Sequence, residues 1–291
     1  MGAVWPGPRR DANRCPEARP PALSSARHAR AHASSTYRDG LRPPFGGTCS
    51  PTRRRGLIVR LGLLRCDEVG GDRESRFGGY LKLFADLFAK VDTDVDITDY
   101  DVAGGVLPAN PGEQDGWLIS GARASVVDDE PWITDLLGVV RELDRTGSPT
   151  VGVCFGHQLL ALALGGEVRQ ADNGWGIGVR RAEFTGPGPW STPLGGGFAI
   201  AYSHMDQVTA LPDRGRLVAT TGHCPVAAFR VDDHMLGIQG HPEFSIPFAD
   251  DLYRSRAARF GDERLEEALQ TLGNGTDRGE VAAWMLQILG G

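Results

Sequence analysis

Short apolar runs alternate with longer amphipathic segments from residue 57 onward. Four short runs predict buried strands, because turn residues bound each of them: 57–64, 94–102, 116–120 and 149–153. Apolar residues recur at helical spacing in three longer segments, which predict helices: 76–91, 130–147 and 156–166. This alternation is typical of an α/β protein with an open, mostly parallel sheet and helices on both faces.

The pattern changes after residue 166. Apolar runs separated by Gly and Pro turns predict five further strands: 176–184, 197–203, 216–221, 225–231 and 235–240. We interpret them as a small antiparallel annex that leads back to the main sheet. Two helices are expected to end the chain, over about 246–272 and 278–289.

Residues 1–55 have a different composition from the rest. They are rich in Arg, Pro, Ala and Ser and have no apolar periodicity, which predicts a disordered arm. An over-extended start near Leu57 is a second interpretation, and an organelle targeting segment is a third that the Pro content disfavours. The folded domain is then expected over residues 56–291.

The charge is also divided unevenly. Residues 1–55 contain eleven arginines and three acidic residues, about +8, so the net charge of −6 leaves about −14 for the rest. An acidic body repels phosphate backbones, which disfavours a nucleic acid partner. No apolar run approaches the roughly 18 residues of a membrane-spanning helix, so no membrane partner is expected either.

The cysteines predict free thiols in a reducing, cytoplasmic compartment. Their number is odd, they are scattered, and they lack zinc-ligand spacing: Cys15, Cys49, Cys66, Cys154 and Cys224. We therefore expect no metal site, and we interpret Cys66 and Cys224 as small buried hydrophobic residues.

Cys154 differs from the other cysteines in its surroundings. It joins a predicted strand to a predicted helix in VGVCFGHQLL (151–160), with Gly152 and Gly156 two residues to either side. A nucleophile on such a tight turn needs small flanking residues, and the helix N-terminus favours its thiolate. The backbone N–H of Phe155 would then face a tetrahedral oxyanion.

A cysteine nucleophile needs a base and a second oxyanion donor. The segment IQGHPEF (238–244) places His241 just after a strand, with Glu243 two residues on, so that the carboxylate can orient the imidazole. The turn after strand 116–120 offers the backbone N–H of Gly121 or Ala122 as the second donor. The sequence leaves these two alternatives open.

GVCFGHQLL and GHPEF resemble the two signatures of class I (triad) glutamine amidotransferases. The resemblance covers about residues 57–245 and implies a flavodoxin-like fold with Cys154 as nucleophile, His241 as base and then acid, and Glu243 orienting His241. It also implies that Gln158 helps to bind the amino-acid end of glutamine. YSHMDQV (202–208) resembles the segment that completes this pocket near Ser203 and His204. The family often has Ser-Gly-Gly-Pro at the oxyanion turn, whereas this chain has Ser-Gly-Ala-Arg (120–123).

Three hypotheses of function follow. The first is a stand-alone glutamine amidotransferase or glutaminase, which acts on glutamine without a cofactor. The second is a hydrolase of γ-glutamyl peptides or amides, and the third is a catalytically silent protein of the same fold, which the intact Cys, His and Glu set disfavours. The chain has no phosphate-binding G-x-x-x-x-G-K-[ST] motif, so any ATP-dependent synthetase that accepts ammonia is expected to be a partner in trans.

Overall fold

The structure, a computed structural model, describes residues 58–188 and 194–290. The predicted arm (1–55) and the domain boundary at residue 56 lie outside the described residues and stay predictions. Within the described ranges the strands are β1 (Val59–Arg65), β2 (Val95–Asp101), β3 (Gly116–Ile119), β4 (Thr150–Val153), β5 (Glu167–Gln170), β6 (Gly176–Phe184), β7 (Gly197–His204), β8 (Asp206–Ala210), β9 (Gly215–Thr220), β10 (Ala228–Val231) and β11 (Met235–Ile238).

Helices connect and follow these strands. They are α1 (Gly71–Phe77), α2 (Tyr80–Phe88), α3 (Pro131–Thr146), α4 (Phe155–Ala163), α5 (Ile246–Ser255), α6 (Ala257–Phe260), α7 (Asp262–Thr271) and α8 (Arg278–Leu289), with short 3₁₀ helices at Pro111–Glu113 and Leu272–Asn274. Among the described residues, no helix is long and apolar enough to cross a membrane.

One nine-stranded sheet forms the centre of the fold, in the order β2-β1-β3-β4-β11-β10-β9-β6-β7. The strands from β2 to β11 pair in parallel, and the pairs from β11 to β7 are antiparallel. Strands β5 and β8 form a separate antiparallel pair. The predicted α/β fold class with an antiparallel part is confirmed, and the predicted annex strands extend the main sheet itself.

Apolar layers cover both faces of this sheet. Leu61 and Leu63 of β1 pack into one buried cluster with α2, α5 and α8, whereas Leu64 packs into the other with α3 and α4. Successive side chains of a strand point to opposite faces, so an apolar run is what a strand buried on both sides requires. This explains why the short apolar runs predicted the strands well.

The three neighbouring parallel strands β3, β4 and β11 position the candidate site. Gly121 lies just after β3, Cys154 directly after β4, and His241 just after β11. Because the carboxyl ends of parallel strands meet at one edge of a sheet, residues distant in sequence lie together there.

Two predicted helices are wrong as single elements. The segment predicted over 76–91 is divided at Gly78, whose φ of 80° ends α1 before α2 begins. The segment predicted over 246–272 contains three helices, with breaks at Arg256 and at Gly261, whose φ is 77°. Glycine adopts a positive φ without a Cβ penalty, which accounts for the breaks at Gly78 and Gly261.

Candidate active site

Cys154 occupies a strained turn between β4 and α4. Its φ of 53° and ψ of −101° make it one of two non-glycine residues with positive φ among the described residues. Its backbone N–H donates to Ile238 O at 2.9 Å, and its carbonyl accepts from Gln158 N at 3.1 Å. These bonds hold a conformation that costs free energy on its own, and such conformations cluster at functional sites.

The two flanking glycines allow the close packing of this turn. A Cβ on Gly152 would lie 2.4 Å from Gly156 O, and a Cβ on Gly156 would lie 2.5 Å from Ile119 O. Both obstacles are backbone atoms, which have little freedom to move. The requirement for small residues at these positions, expected from the sequence, therefore has a structural cause.

His241 and Glu243 lie together directly after β11. Nδ1 of His241 is 2.7 Å from Oε1 of Glu243, and the side chains are almost fully buried. His241 N donates to Ala201 O at 2.7 Å, and the ring of Phe244 stacks on the imidazole with centroids 3.9 Å apart. The imidazole is thus held by its backbone, by a carboxylate and by an aromatic ring.

The electrostatics of His241 favour its charged form. Burial lowers the pKa of His241, but the Glu243 carboxylate and the Cys154 sulfur, which hydrogen-bonds the imidazole, outweigh burial and raise it to about 10. Cys154 is 6% exposed and lines a cleft that is described below.

The candidate oxyanion residues surround the same point. Phe155 is the first residue of α4, where backbone N–H groups have no acceptor within the helix. A Cβ on Gly121 would lie 2.9 Å from Cε1 of His241 and 3.7 Å from Cβ of Cys154. Gly121 therefore lies against both residues, and the choice between its N–H and that of Ala122 stays open.

An ion pair holds the turn that contains Gly121. The Arg123 N–H and Nε donate to Oδ2 of Asp67 at 2.8 Å, and Ser120 Oγ donates to Gly121 O at 2.9 Å. The turn reads Ser-Gly-Ala-Arg in this chain, and the arginine supplies the contact to the loop after β1. The sequence did not predict this role of Asp67 and Arg123.

A cleft of about 330 Å³ opens on one side of Cys154. The three predicted substrate-binding residues Gln158, Ser203 and His204 line it. Gln158 Nε2 donates to Asp206 O at 2.7 Å, and Ser203 Oγ accepts from Arg256 Nη1 at 3.3 Å. Of the predicted site residues, Cys154, Gln158, Ser203 and His204 line this cleft, whereas His241 lines a smaller void and Glu243 is fully buried.

His204 is a poor candidate for proton transfer. Burial lowers its pKa to about 3, so the imidazole is neutral at physiological pH. Its Nδ1 lies 3.0 Å from Asp206 O. Both observations indicate a structural role in shaping the cleft.

Several cleft residues were missed by the sequence analysis. Arg256, Arg259 and Trp175 line the cleft beside the predicted residues. The two arginines lie at the break between α5 and α6 and in α6, where one continuous helix was expected. The apolar spacing of that segment contained no signal of the break.

A much smaller void, of about 30 Å³, is also lined by Cys154. It is lined by Tyr80 and His241 among others, and it has room for only one or two waters. Burial and the nearby Glu243, Asp67 and Cys154 raise the pKa of Tyr80 well above its ordinary value, so its hydroxyl is neutral.

The other described cysteines have surroundings unlike those of Cys154. Cys66 and Cys224 are buried, and burial raises the pKa of both thiols, that of Cys224 to about 12. Cys15 and Cys49 lie outside the described residues. Within those residues, no cluster of three or more His, Cys, Asp or Glu side chains could hold a metal ion.

The family model for class I glutamine amidotransferases matches residues 77–253. γ-Glutamyl peptidase 5 of Arabidopsis thaliana is 31% identical over 176 residues, which is 58% of this chain and 69% of the relative. A glutamine-hydrolysing GMP synthase of Lacticaseibacillus rhamnosus is 38% identical over 130 residues, which is 44% of this chain but only 24% of the relative.

Solved structures have the same fold. A glutamine amidotransferase of Methylobacillus flagellatus superposes with a TM-score of 0.60 at 22% identity, over 80% of this chain and 92% of the other. One of Thermotoga maritima gives a TM-score of 0.60 at 19% identity, over 79% and 96%. The family match, which covers more than half of the chain, agrees with these folds and with the amide-hydrolysing relatives: the chain belongs to the class I glutamine amidotransferase family and is an amide hydrolase of that type.

Proposed function

We propose that this enzyme hydrolyses the side-chain amide of glutamine through a Cys154–His241–Glu243 triad. The observation that carries the proposal is the strained Cys154 turn beside a buried imidazole that is 2.7 Å from a buried carboxylate. The arrangement contains a nucleophile, a proton carrier and a group that orients the carrier.

The reaction proceeds in two halves. In the first, the Cys154 thiolate attacks the amide carbon, the carbonyl oxygen becomes an oxyanion, and the C–N bond breaks as nitrogen takes a proton from His241. Ammonia leaves, and a γ-glutamyl thioester remains on Cys154. In the second, water attacks the thioester while His241 takes its proton, and glutamate is released as the thiolate re-forms.

The raised pKa of His241 determines its role in the first half. Because Glu243 and Cys154 outweigh burial and raise this pKa to about 10, the imidazole begins the cycle protonated. It can therefore donate at once to the departing nitrogen. Phe155 N–H and Gly121 N–H are the donors that we propose for the oxyanion.

The cleft supplies the remaining contacts for the amino-acid end of glutamine. Gln158 uses its Nε2 on Asp206 O, which leaves its Oε1 to accept from the substrate's ammonium group. Ser203 and the backbone at His204 line the same wall. These roles follow from position in the cleft and from hydrogen-bonding capacity.

A second candidate substrate is a γ-glutamyl peptide or amide. The relatives with the name γ-glutamyl peptidase align over more than two thirds of their own length, and the cleft is larger than an ammonia leaving group requires. Arg256 and Arg259 in its wall could attract the carboxylate of a peptide leaving group. The triad chemistry is the same for both substrates.

If glutamine is the substrate, the ammonia has two fates. It could leave as product, or pass to a synthetase that binds this chain, as the glutamine-hydrolysing GMP synthase relatives suggest. We place the enzyme in the cytoplasm, in keeping with the three described free thiols.

The substrate is tested by incubating the purified enzyme with glutamine and with several γ-glutamyl dipeptides. Release of ammonia or of the free amino acid is followed, with the Cys154→Ala variant as the matched control. We expect hydrolysis of at least one compound by the wild type and none by the variant. Equal release by both proteins would refute the proposed nucleophile, and the ratio of kcat/KM values would identify the substrate class.

A further inference from the structure

The first residue of the C-terminal helix reaches back to the candidate triad. Arg278 begins α8 and lies beyond residues 77–253, the part that matches the family model. Its Nε donates to Pro242 O at 2.6 Å, and its Nη2 donates to Glu243 O at 2.8 Å. One guanidinium therefore binds two successive carbonyls of the segment that contains His241 and Glu243.

We infer that Arg278 is a positioning residue for the triad: it fixes the backbone that carries His241 and Glu243 and balances the buried charge of Glu243. The inference rests on the proposed function, since it assumes that these two residues work on Cys154. Arg278 is not among the residues that line either cavity at Cys154, so it is expected to act through the segment 241–243.

The electrostatic part of the argument begins with the burial of Glu243. This side chain is 0% exposed, its Oε1 is bound to His241, and its Oε2 has no hydrogen-bond partner among the described residues. A buried carboxylate is costly unless a cation lies near it. Burial lowers the pKa of Arg278, and attraction to Glu243, then to Asp86 of α2, opposes that shift.

The ionisable groups around Glu243 come from several elements. The imidazolium of His241 is bound to it, Arg278 of α8 attracts it, and the neutral hydroxyl of Tyr80 lies within its field. Arg278 is the permanent cation of this set, because a guanidinium stays protonated at every pH of interest.

The residue before α8, Asp277, is itself bound to β7. Asp277 N donates to Ala199 O at 2.8 Å, and its Oδ2 accepts from Ala199 N at 2.8 Å. Two residues further along β7, Ala201 O accepts from His241 N at 2.7 Å. The start of α8 thus joins β7 to the segment that contains His241 and Glu243, which limits movement of His241 relative to the strand.

Two substitutions separate charge from geometry. Arg278→Met removes both hydrogen bonds and the charge but keeps a long apolar stem. Arg278→Lys keeps the charge, but its ammonium is a point donor without the planar fork that spans two carbonyls. Arg254→Met is the matched control, because Arg254 is exposed on α5 and pairs with Asp250.

The experiment measures alkylation of Cys154 by iodoacetamide from pH 5 to 10, resolved by mass spectrometry of the peptides, with thermal melting of each variant. We expect Arg278→Met to slow labelling at pH 7 about tenfold, because a displaced imidazolium activates the Cys154 sulfur less. The acid limb of its profile of alkylation rate against pH moves to higher pH, because nearby anions are protonated at higher pH once a cation is lost. Arg278→Lys is expected to keep the acid limb of the wild type but to reach a lower alkylation rate at the plateau.

The outcomes are distinct. Labelling by folded Arg278→Met at the wild-type rate, with the same acid limb, would overturn the inference. If this variant melts too low to assay, Arg278→Lys decides by the same readout, and a wild-type plateau overturns the geometric role. With an active substrate, kcat should fall while KM holds, because Arg278 lies outside the cleft.

Failure of the proposed function would have a different signature. In that case the wild type would hydrolyse neither glutamine nor γ-glutamyl dipeptides, yet Cys154 alkylation would still depend on Arg278. Alkylation independent of Arg278 in an enzyme that does hydrolyse these compounds would remove the positioning role alone.

Discussion

Cys154 lines two cavities that differ in size, a small void beside His241, here called the triad side, and the larger cleft. On the triad side, His241 and Glu243 are almost fully buried beside a void of about 30 Å³. The cleft, of about 330 Å³, is walled by polar groups, including the exposed Arg259. The triad side is held by short hydrogen bonds and close backbone packing, whereas under the proposed function the larger cleft has room for different leaving groups.

Under the proposed function, the triad side carries out the reaction and the cleft selects the substrate. Charge stabilisation at a reacting centre requires groups fixed in a site that excludes water. Selection among leaving groups depends on a few contacts in solvent-accessible space, where each contact contributes little. Variants on the triad side should therefore have large effects on kcat, and variants on the cleft side should have small effects on KM.

The largest effect is expected from His241→Asn. The variant loses both the acid for the leaving nitrogen and the base for water, so kcat should fall by about three orders of magnitude. Steady-state kinetics on the active substrate would measure this, with circular dichroism as a check on folding. A loss below about tenfold would assign proton transfer to another group.

Substitution of Gly156 tests how tightly the triad side is packed. Gly156→Ala places a Cβ 2.5 Å from Ile119 O, so the free energy of unfolding should drop by about 3 kcal/mol. The matched control is Gly138→Ala on α3, where no atom lies within 4 Å of the new Cβ and where alanine should stabilise the helix by about 0.5–1 kcal/mol. Urea titrations with similar midpoints for both variants would contradict the packing argument.

Glu243→Gln should have a smaller and pH-dependent effect. Burial lowers the pKa of His241, and Glu243 is the largest of the groups that oppose burial and raise it to about 10. Activity that needs the imidazolium is present below that pKa and is lost as pH rises through it. The variant should move this alkaline limb to lower pH and reduce kcat by about tenfold to a hundredfold, since the histidine remains. An unshifted limb would mean that Glu243 does not set the charge of His241.

The smallest effect is expected from a substitution in the cleft wall. Arg259→Ser should raise KM for a γ-glutamyl dipeptide about two- to fivefold, because an exposed ion pair contributes about 0.2–1 kcal/mol. KM for glutamine should stay unchanged, as should both values in Arg254→Ser. Equal changes for the two substrates would place the peptide carboxylate elsewhere.

Much of the triad side could be predicted from sequence because its signals are local. A cysteine between two glycines at a strand–helix junction, and His-x-Glu after a strand, each describe one short segment. The parallel order of β3, β4 and β11 then brings these segments together. Phe155 and Gly121 followed from the same turns, although their roles stay predictions.

The cleft wall and the contact of Arg278 with the segment 241–243 depended on information that the sequence does not display. Arg256 lies at the break between α5 and α6 and Arg278 begins α8, and arginines in amphipathic helical segments are usually solvated. The pair β5–β8 was missed because only three of its nine residues are buried, which leaves almost no apolar alternation. Such features arise from tertiary approach and not from spacing along the chain.

The central claim, a γ-glutamyl thioester on Cys154, is tested most directly by trapping it. The enzyme is mixed with glutamine or a γ-glutamyl dipeptide, quenched in acid during turnover, digested, and examined by mass spectrometry. We predict one glutamyl group on the peptide that contains Cys154, removable by neutral hydroxylamine and absent from Cys154→Ala. Turnover without any adduct, together with retained activity in Cys154→Ala, would contradict the account.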